Sequence, residues 1–122
     1  MITLKNKNWK PTTVVFIQSL VWSKQDVTLN FLCQEREHGK EWPNRLEDFV
    51  EVEVQFRNIM QFKLNFEGAD KQSVLGFDVV DISAKGWENI NFQIEDYESD
   101  RISFFCEAIE VLHVFPKAKL KL

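Results

Sequence analysis

The chain has 122 residues, the usual size of one domain, and at that length roughly 70% of the unfolded surface is buried on folding. It is 44% apolar, with 11 Phe and 4 Trp against 4 Gly and 3 Pro, which excludes a disordered or collagen-like polymer. A formal charge of -4 and a pI near 5.2 argue against a general binder of nucleic acid or anionic membranes, because both need a positive field, and favour a basic partner.

The amino terminus, MITLKNKNWKPTTVVFIQSLVW, sets lysines before an apolar run, the order found in export signals. Gln18 and Ser19 break that run and no small-residue cleavage pattern follows, so it reads as a strand. No unbroken apolar segment approaches about 18 residues, the minimum for a membrane-spanning helix. Cys33 and Cys106 both fall on apolar parities, and without an export signal they are expected as buried, reduced thiols in a cytoplasmic protein.

Residues 1 to 11 have mixed polarity and end at Pro11, a leader or short edge strand. Thr13 to Trp22 is apolar on both parities, as in a strand covered on both faces or one bulged near Gln18 and Ser19. SKQD at 23 to 26 supplies a turn, and from Val27 the alternation is clean: Val27, Leu29, Phe31 and Cys33 inward, Thr28, Asn30 and Gln34 outward. Glu35 to Asn44 reads as a surface loop, with a helix around Arg45 to Phe49 as an alternative to strand. Leu46 to Phe56 and Met60 to Phe66 are regular strands separated by Arg57, Asn58 and Ile59. Asn tolerates the left-handed conformation, so a tight hairpin around Asn58 is the economical reading, and a bulge bending one long strand the other. GADKQS at 68 to 73 is a further turn.

Val74 to Ile82 is another strand. Three apolar runs then follow between Glu88 and Phe115, carried by Ile90, Phe92 and Ile94, by Ile102, Phe104 and Cys106, and by Ile109 and Val111. They read as a meander, and the basic tail PKAKLKL frays or forms an edge. The count predicts an all-β domain spanning residues 1–122, an antiparallel meander of about eight strands forming a sandwich or half-open barrel.

Chemistry is sparse. His38 and His113 are far apart and no zinc-ligand spacing exists. Asp96, Glu98 and Asp100, with Glu107 at the twelfth place, echo a calcium loop. Arg101 occupies the place that demands Gly, and strands flank the run, so a solvated hairpin turn is expected. Cys106 and His113 are the pair that two adjacent strands would bring together for nucleophilic catalysis, although a thiol between Phe104 and Ile109 packs as a small hydrophobe. Four scattered glycines make no phosphate-cradling loop. No catalytic residue, metal site or cofactor is therefore expected. What remains is surface: Trp42 in the charged loop, Trp87 at a turn, Trp9 in the leader, and Tyr97 inside EDYESD. Aromatics set among charges are the residue types that anchor interfaces. Glu95, Asp96, Tyr97, Glu98 and Asp100, with Trp42 and Trp87, form the predicted partner-binding edge.

Phe56 to Phe66 followed by LGFDVVDISAKGWENINFQIEDYESDRISFFCEAIEVL, about half the chain, resembles a group of small bacterial all-β proteins. The shared pattern is a strand pair with F-x-x-I/V-x-x-F/L spacing, a G-F-D-I-like strand, an acidic D-Y-E turn and a strand ending F-x-C. Relatives of this kind include immunity protein 50, and the resemblance implies a protein that neutralises a toxin domain by stoichiometric binding. Against that stand a small-ligand or hydrolytic site at the mouth of a half-open barrel, and a structural domain dimerising through Val74 to Ile82. A monomer or weak homodimer is expected.

Overall fold

The computed structural model describes residues 9–116 and 118–119; residues 1–8 of the leader and the rest of the tail lie outside the described residues. Ten strands occur in the described part: β1 Val14–Ser23, β2 Asp26–Cys33, β3 Asp48–Arg57, β4 Met60–Leu64, β5 Gln72–Ser73, β6 Phe77–Asp81, β7 Phe92–Asp96, β8 Ile102–Cys106, β9 Ala108–Val114 and β10 Ala118–Lys119. Two short 3-10 turns, Pro11–Thr13 and Ser83–Lys85, are the helical elements among the described residues. No helix there is long and apolar enough to cross a membrane.

The strands form two antiparallel sheets. The first runs β5-β1-β2-β3, and along the far edge of β3 the long β9 pairs Val52 to Arg57 while β10 pairs Asp48 and Phe49. The second runs β4-β8-β7-β6. They do not close into a barrel, so of the two architectures open in the sequence the sandwich is the one that fits.

Alternation makes the sandwich. Leu29, Phe31, Val54 and Phe56 point from the first sheet, Phe77, Ile94, Ile102 and Phe104 from the second, and all are buried. Rings tie the layers together: Phe56 meets Phe104 edge-on at 5.2 Å and Phe31 meets Phe77 at 4.9 Å. Trp9 stacks on Phe31 at 5.5 Å and is itself core, so the leader aromatic belongs to packing and not to a surface.

The two-sided apolarity of β1 has two causes. Register shifts fall between Val14 and Phe16 and between Ile17 and Ser19, the second at the place expected for a bulge. In addition Val15 and Phe16 join Leu32 and Phe49 in a separate cluster under Trp42 and Leu75, while Val14 and Ile17 enter the main core.

Three expectations need correction. Residues 45–47 form no helix, and strand β3 begins at Asp48. The Arg57–Ile59 step is not a hairpin: β3 and β4 lie in different sheets, and the chain passes between layers at Asn58, whose φ is 54°. Likewise β6, β7 and β8 form a meander but β9 leaves it, crossing at Glu107 to lie against β3. The two crossings sit side by side. Glu107 donates its backbone N–H to the Arg57 carbonyl at 2.9 Å, and the Asn58 side-chain amide donates to the Glu107 carboxylate. Strand alternation persists through both corners, so local pattern does not distinguish a change of layer from a return within one.

Candidate functional site

The acidic turn between β7 and β8 is built on Asp96. The sequence makes it the last residue of a strand whose inward positions are Phe92 and Ile94, so parity sends its side chain inward, and it is 2% exposed. There its carboxylate accepts the backbone N–H of Ser99 at 3.4 Å and of Arg101 at 3.2 Å, while its carbonyl accepts the N–H of Asp100 at 2.8 Å. Asp100 takes the left-handed conformation, φ 52°, which closes the turn. From the other side the Tyr97 N–H donates to the Gly76 carbonyl at 3.1 Å. Asp96 is thus the anchor of the turn and offers no face to a partner, a correction to its place in the predicted edge.

What the anchor holds up is an exposed display. Tyr97 is 65% exposed, with Glu98 and Asp100 exposed beside it. Glu95, half-buried, lies directly across from Asp78 of β6. Directly opposed like charges destabilise a sheet. Among the described residues no cation forms an ion pair with Asp78, Glu95, Glu98 or Asp100. The nearest cation in sequence, Arg101, turns instead to Glu67 at 3.1 Å.

The predicted tryptophans divide. Trp42 is half-buried on the second cluster; its indole N–H donates to the Gln34 carbonyl at 2.7 Å and the Arg36 guanidinium lies 3.7 Å above its ring. Arg36 also donates to the Leu75 carbonyl, next to the Gly76 that receives Tyr97, so Trp42 and the acidic turn are linked through two neighbouring residues. Trp42 therefore caps a small core at the border of the display. Trp87 is elsewhere. It follows β6 at the Asp81 end, whereas the turn adjoins the Phe77 end, and it packs edge-on against Phe105. The structure brings together Tyr97, Glu98, Asp100 and Glu95 on one strand end and turn, connects Trp42 to them only by way of Arg36, Leu75 and Gly76, and leaves Trp87 apart. One exposed aromatic escaped sequence reasoning: Trp22, 71% exposed, its N–H donating to the Lys24 carbonyl. Its position immediately before the SKQ turn was the available signal.

The other candidates do not assemble. Cys106 is buried in β8 and His113 exposed in β9, in different sheets, with His113 against Phe115. Burial pushes the Cys106 thiol up to about 12 and the Cys33 thiol to about 11, so both are neutral thiols and poor nucleophiles near pH 7. Both are free. Among the described residues no three His, Cys, Asp or Glu side chains converge as a metal site, and Glu107 is engaged by Asn58 at the layer crossing. Strand β6 is an edge of the second sheet, as the dimer reading requires, but it covers only Phe77–Asp81 of the expected Val74 to Ile82, and Val74 lies outside it, buried.

No known family matches. Neither a family model nor any curated protein or solved structure is significantly similar to this chain.

Proposed function

We propose that the chain is a non-enzymatic protein-binding module that receives a basic partner on the acidic β7–β8 turn, acting as a bacterial immunity-type protein that neutralises a toxin domain in the cytoplasm by stoichiometric binding. The observation that carries this reading is the set of four carboxylates, Asp78, Glu95, Glu98 and Asp100, with no ion-pair partner among the described residues, on and beside the turn that exposes Tyr97. Charge of one sign concentrated at a fixed turn steers an oppositely charged protein and speeds encounter, while an aromatic at its centre supplies buried area. Opposed like charges such as Asp78 and Glu95 work against a sheet, and a role in binding offsets that cost.

The test is capture from the source bacterium with tagged wild type beside a Tyr97→Ala, Glu98→Gln, Asp100→Asn variant, followed by association kinetics on the purified partner. The expected result is a basic protein held in equal amount by wild type only, with association at low salt at least about tenfold slower for the variant and less dependent on salt. Equal association rates for both proteins would sink the assignment.

A further inference from the structure

A cation-lined cleft lies outside the acidic display. Phe16, Arg45, Glu67, Asp70, Lys71 and Arg101 border a space of about 380 Å³, within the range of roughly 300 to 1,000 Å³ typical of small-molecule sites. In a chain of net charge -4, it sets three cations against two carboxylates.

The backbone fixes where those cations stand. Strand β5 pairs Ser73 with Phe16, which carries the nearby Lys71 to that ring. Buried Gln72 staples the loop, accepting the Glu67 N–H at 2.8 Å and donating to the Glu67 carbonyl at 2.7 Å. The Arg45 guanidinium lies 5.3 Å and the Lys71 ammonium 6.0 Å from the Phe16 ring centroid, so one aromatic draws two like charges together. Arg101 is pinned through its own backbone: its N–H donates to the Asp96 carboxylate at 3.2 Å, and its carbonyl accepts the Asn65 N–H at 2.8 Å.

Exposure separates the two signs of charge. The Lys71 and Arg101 side chains are 15% and 20% exposed, whereas those of their partners Asp70 and Glu67 are 85% and 73% exposed. The cations are held down while the carboxylates stand in water, where an ion pair contributes little and exchanges readily. Arg45 has no ion-pair partner among the described residues. A dianion that took the place of both carboxylates would meet all three cations and leave the net charge of the cluster as it is. Phosphate concentrates two negative charges on one compact group, and Arg and Lys are its usual protein partners.

We infer that this cleft binds a dianionic phosphate group, free or carried on a small organic body, among Arg45, Lys71 and Arg101 in place of the Glu67 and Asp70 carboxylates. The buried Arg101 Nε takes no part; the contact is made by Nη2, which otherwise holds Glu67. None of the carboxylates of the acidic display is used, so either proposal can fail without the other.

Titration of the ¹⁵N-labelled full chain at low salt and about pH 8, where phosphate is dianionic, tests it. The probes are glycerol 3-phosphate, inorganic phosphate, succinate and glycerol. The Lys71, Gln72 and Ser73 amides are expected to shift and saturate with both phosphates, more weakly with succinate, and not with glycerol. Either order of the two phosphates upholds the site: tighter glycerol 3-phosphate assigns it to a phosphorylated metabolite, and equal or tighter inorganic phosphate to the free ion. Lys71→Ala should weaken both about tenfold, the worth of one charge-assisted hydrogen bond. The Glu67→Gln, Asp70→Asn variant should instead tighten both, by about threefold, because the competing carboxylates are gone. A purely structural role for these residues would not raise affinity. Absence of a saturable shift, succinate binding as tightly as phosphate, or unchanged affinity in the Glu67→Gln, Asp70→Asn variant would overturn the proposal. Should Lys71→Ala fail to fold, Arg45→Ala at its exposed position decides: unchanged affinity overturns the site, and lost affinity upholds it.

Discussion

Asp96 and Glu98 are neighbours in an acidic run, and their substitutions should part ways. Asp96→Ala leaves the turn N–H groups of Ser99 and Arg101 without their carboxylate acceptor and is expected to cost about 1 to 3 kcal/mol in urea unfolding. Glu98→Gln, on the exposed side, should stay within about 0.5 kcal/mol. Glu95→Gln makes the sharper prediction. It relieves the facing Asp78, so stability should rise by a few tenths to about 1 kcal/mol while partner association slows. A variant that lost stability would contradict the account of an opposed pair kept for binding. At this scale the sequence was only partly readable. Exposed Tyr97 was legible because polar residues surround it; buried Trp9 was not, since its flanks Asn8 and Lys10 resemble any leader and the stack on Phe31 is a long-range contact. Asp96 was hidden by its neighbours, although the strand parity of Phe92 and Ile94 already pointed it inward.

Among the elements, the β6–β7–β8 meander depends on one close approach. A Cβ built on Gly76 would sit 2.5 Å from the Glu98 backbone nitrogen, closer than real Cβ contacts come, and backbone cannot yield as a long side chain does. Gly76→Ala should therefore push the acidic turn off the β6 side, lowering stability by about 1 to 3 kcal/mol and shifting the Tyr97 and Glu98 amide resonances most. Unmoved resonances there would show that the turn is not seated on Gly76. Strand identities were legible because period-two alternation is a local signal: Val27 to Cys33 and Phe92 to Ile94 lie in β2 and β7. Strand partners were not. Arg57, Asn58 and Ile59 serve a hairpin or a layer change equally well, and long-range contacts such as that of Asn58 with Glu107, 49 positions away, decide between them.

For the molecule as a whole, the two buried thiols set an alkaline limit. Both pKa values lie above the ordinary 9.0, at about 11 for Cys33 and about 12 for Cys106, because burial disfavours the thiolate. The folded state therefore holds protons that the unfolded chain gives up, and the stability this confers is full below pH 9 and lost as pH rises through the folded values. Unfolding free energy should fall from about pH 9 upward, by as much as about 1.4 kcal/mol per pH unit per thiol. The Cys33→Ala, Cys106→Ala variant should show a flatter profile over the same window. An equally steep decline in that variant would assign the alkaline limit to other groups.

Strand β3 sits between β2 and β9, and β9 comes late in the chain. On the ribosome this order has a cost. Until Ala108 to Val114 emerge, a ten-residue strand carrying Val52, Val54 and Phe56 holds one edge of backbone donors and acceptors open. In a nascent chain that ends before Glu107 the second sheet has all its strands, but the first lacks β9 and β10. Synthesis halted there should leave a sticky, protease-sensitive product, and the last long strand to be made is the one that renders the molecule safe to release.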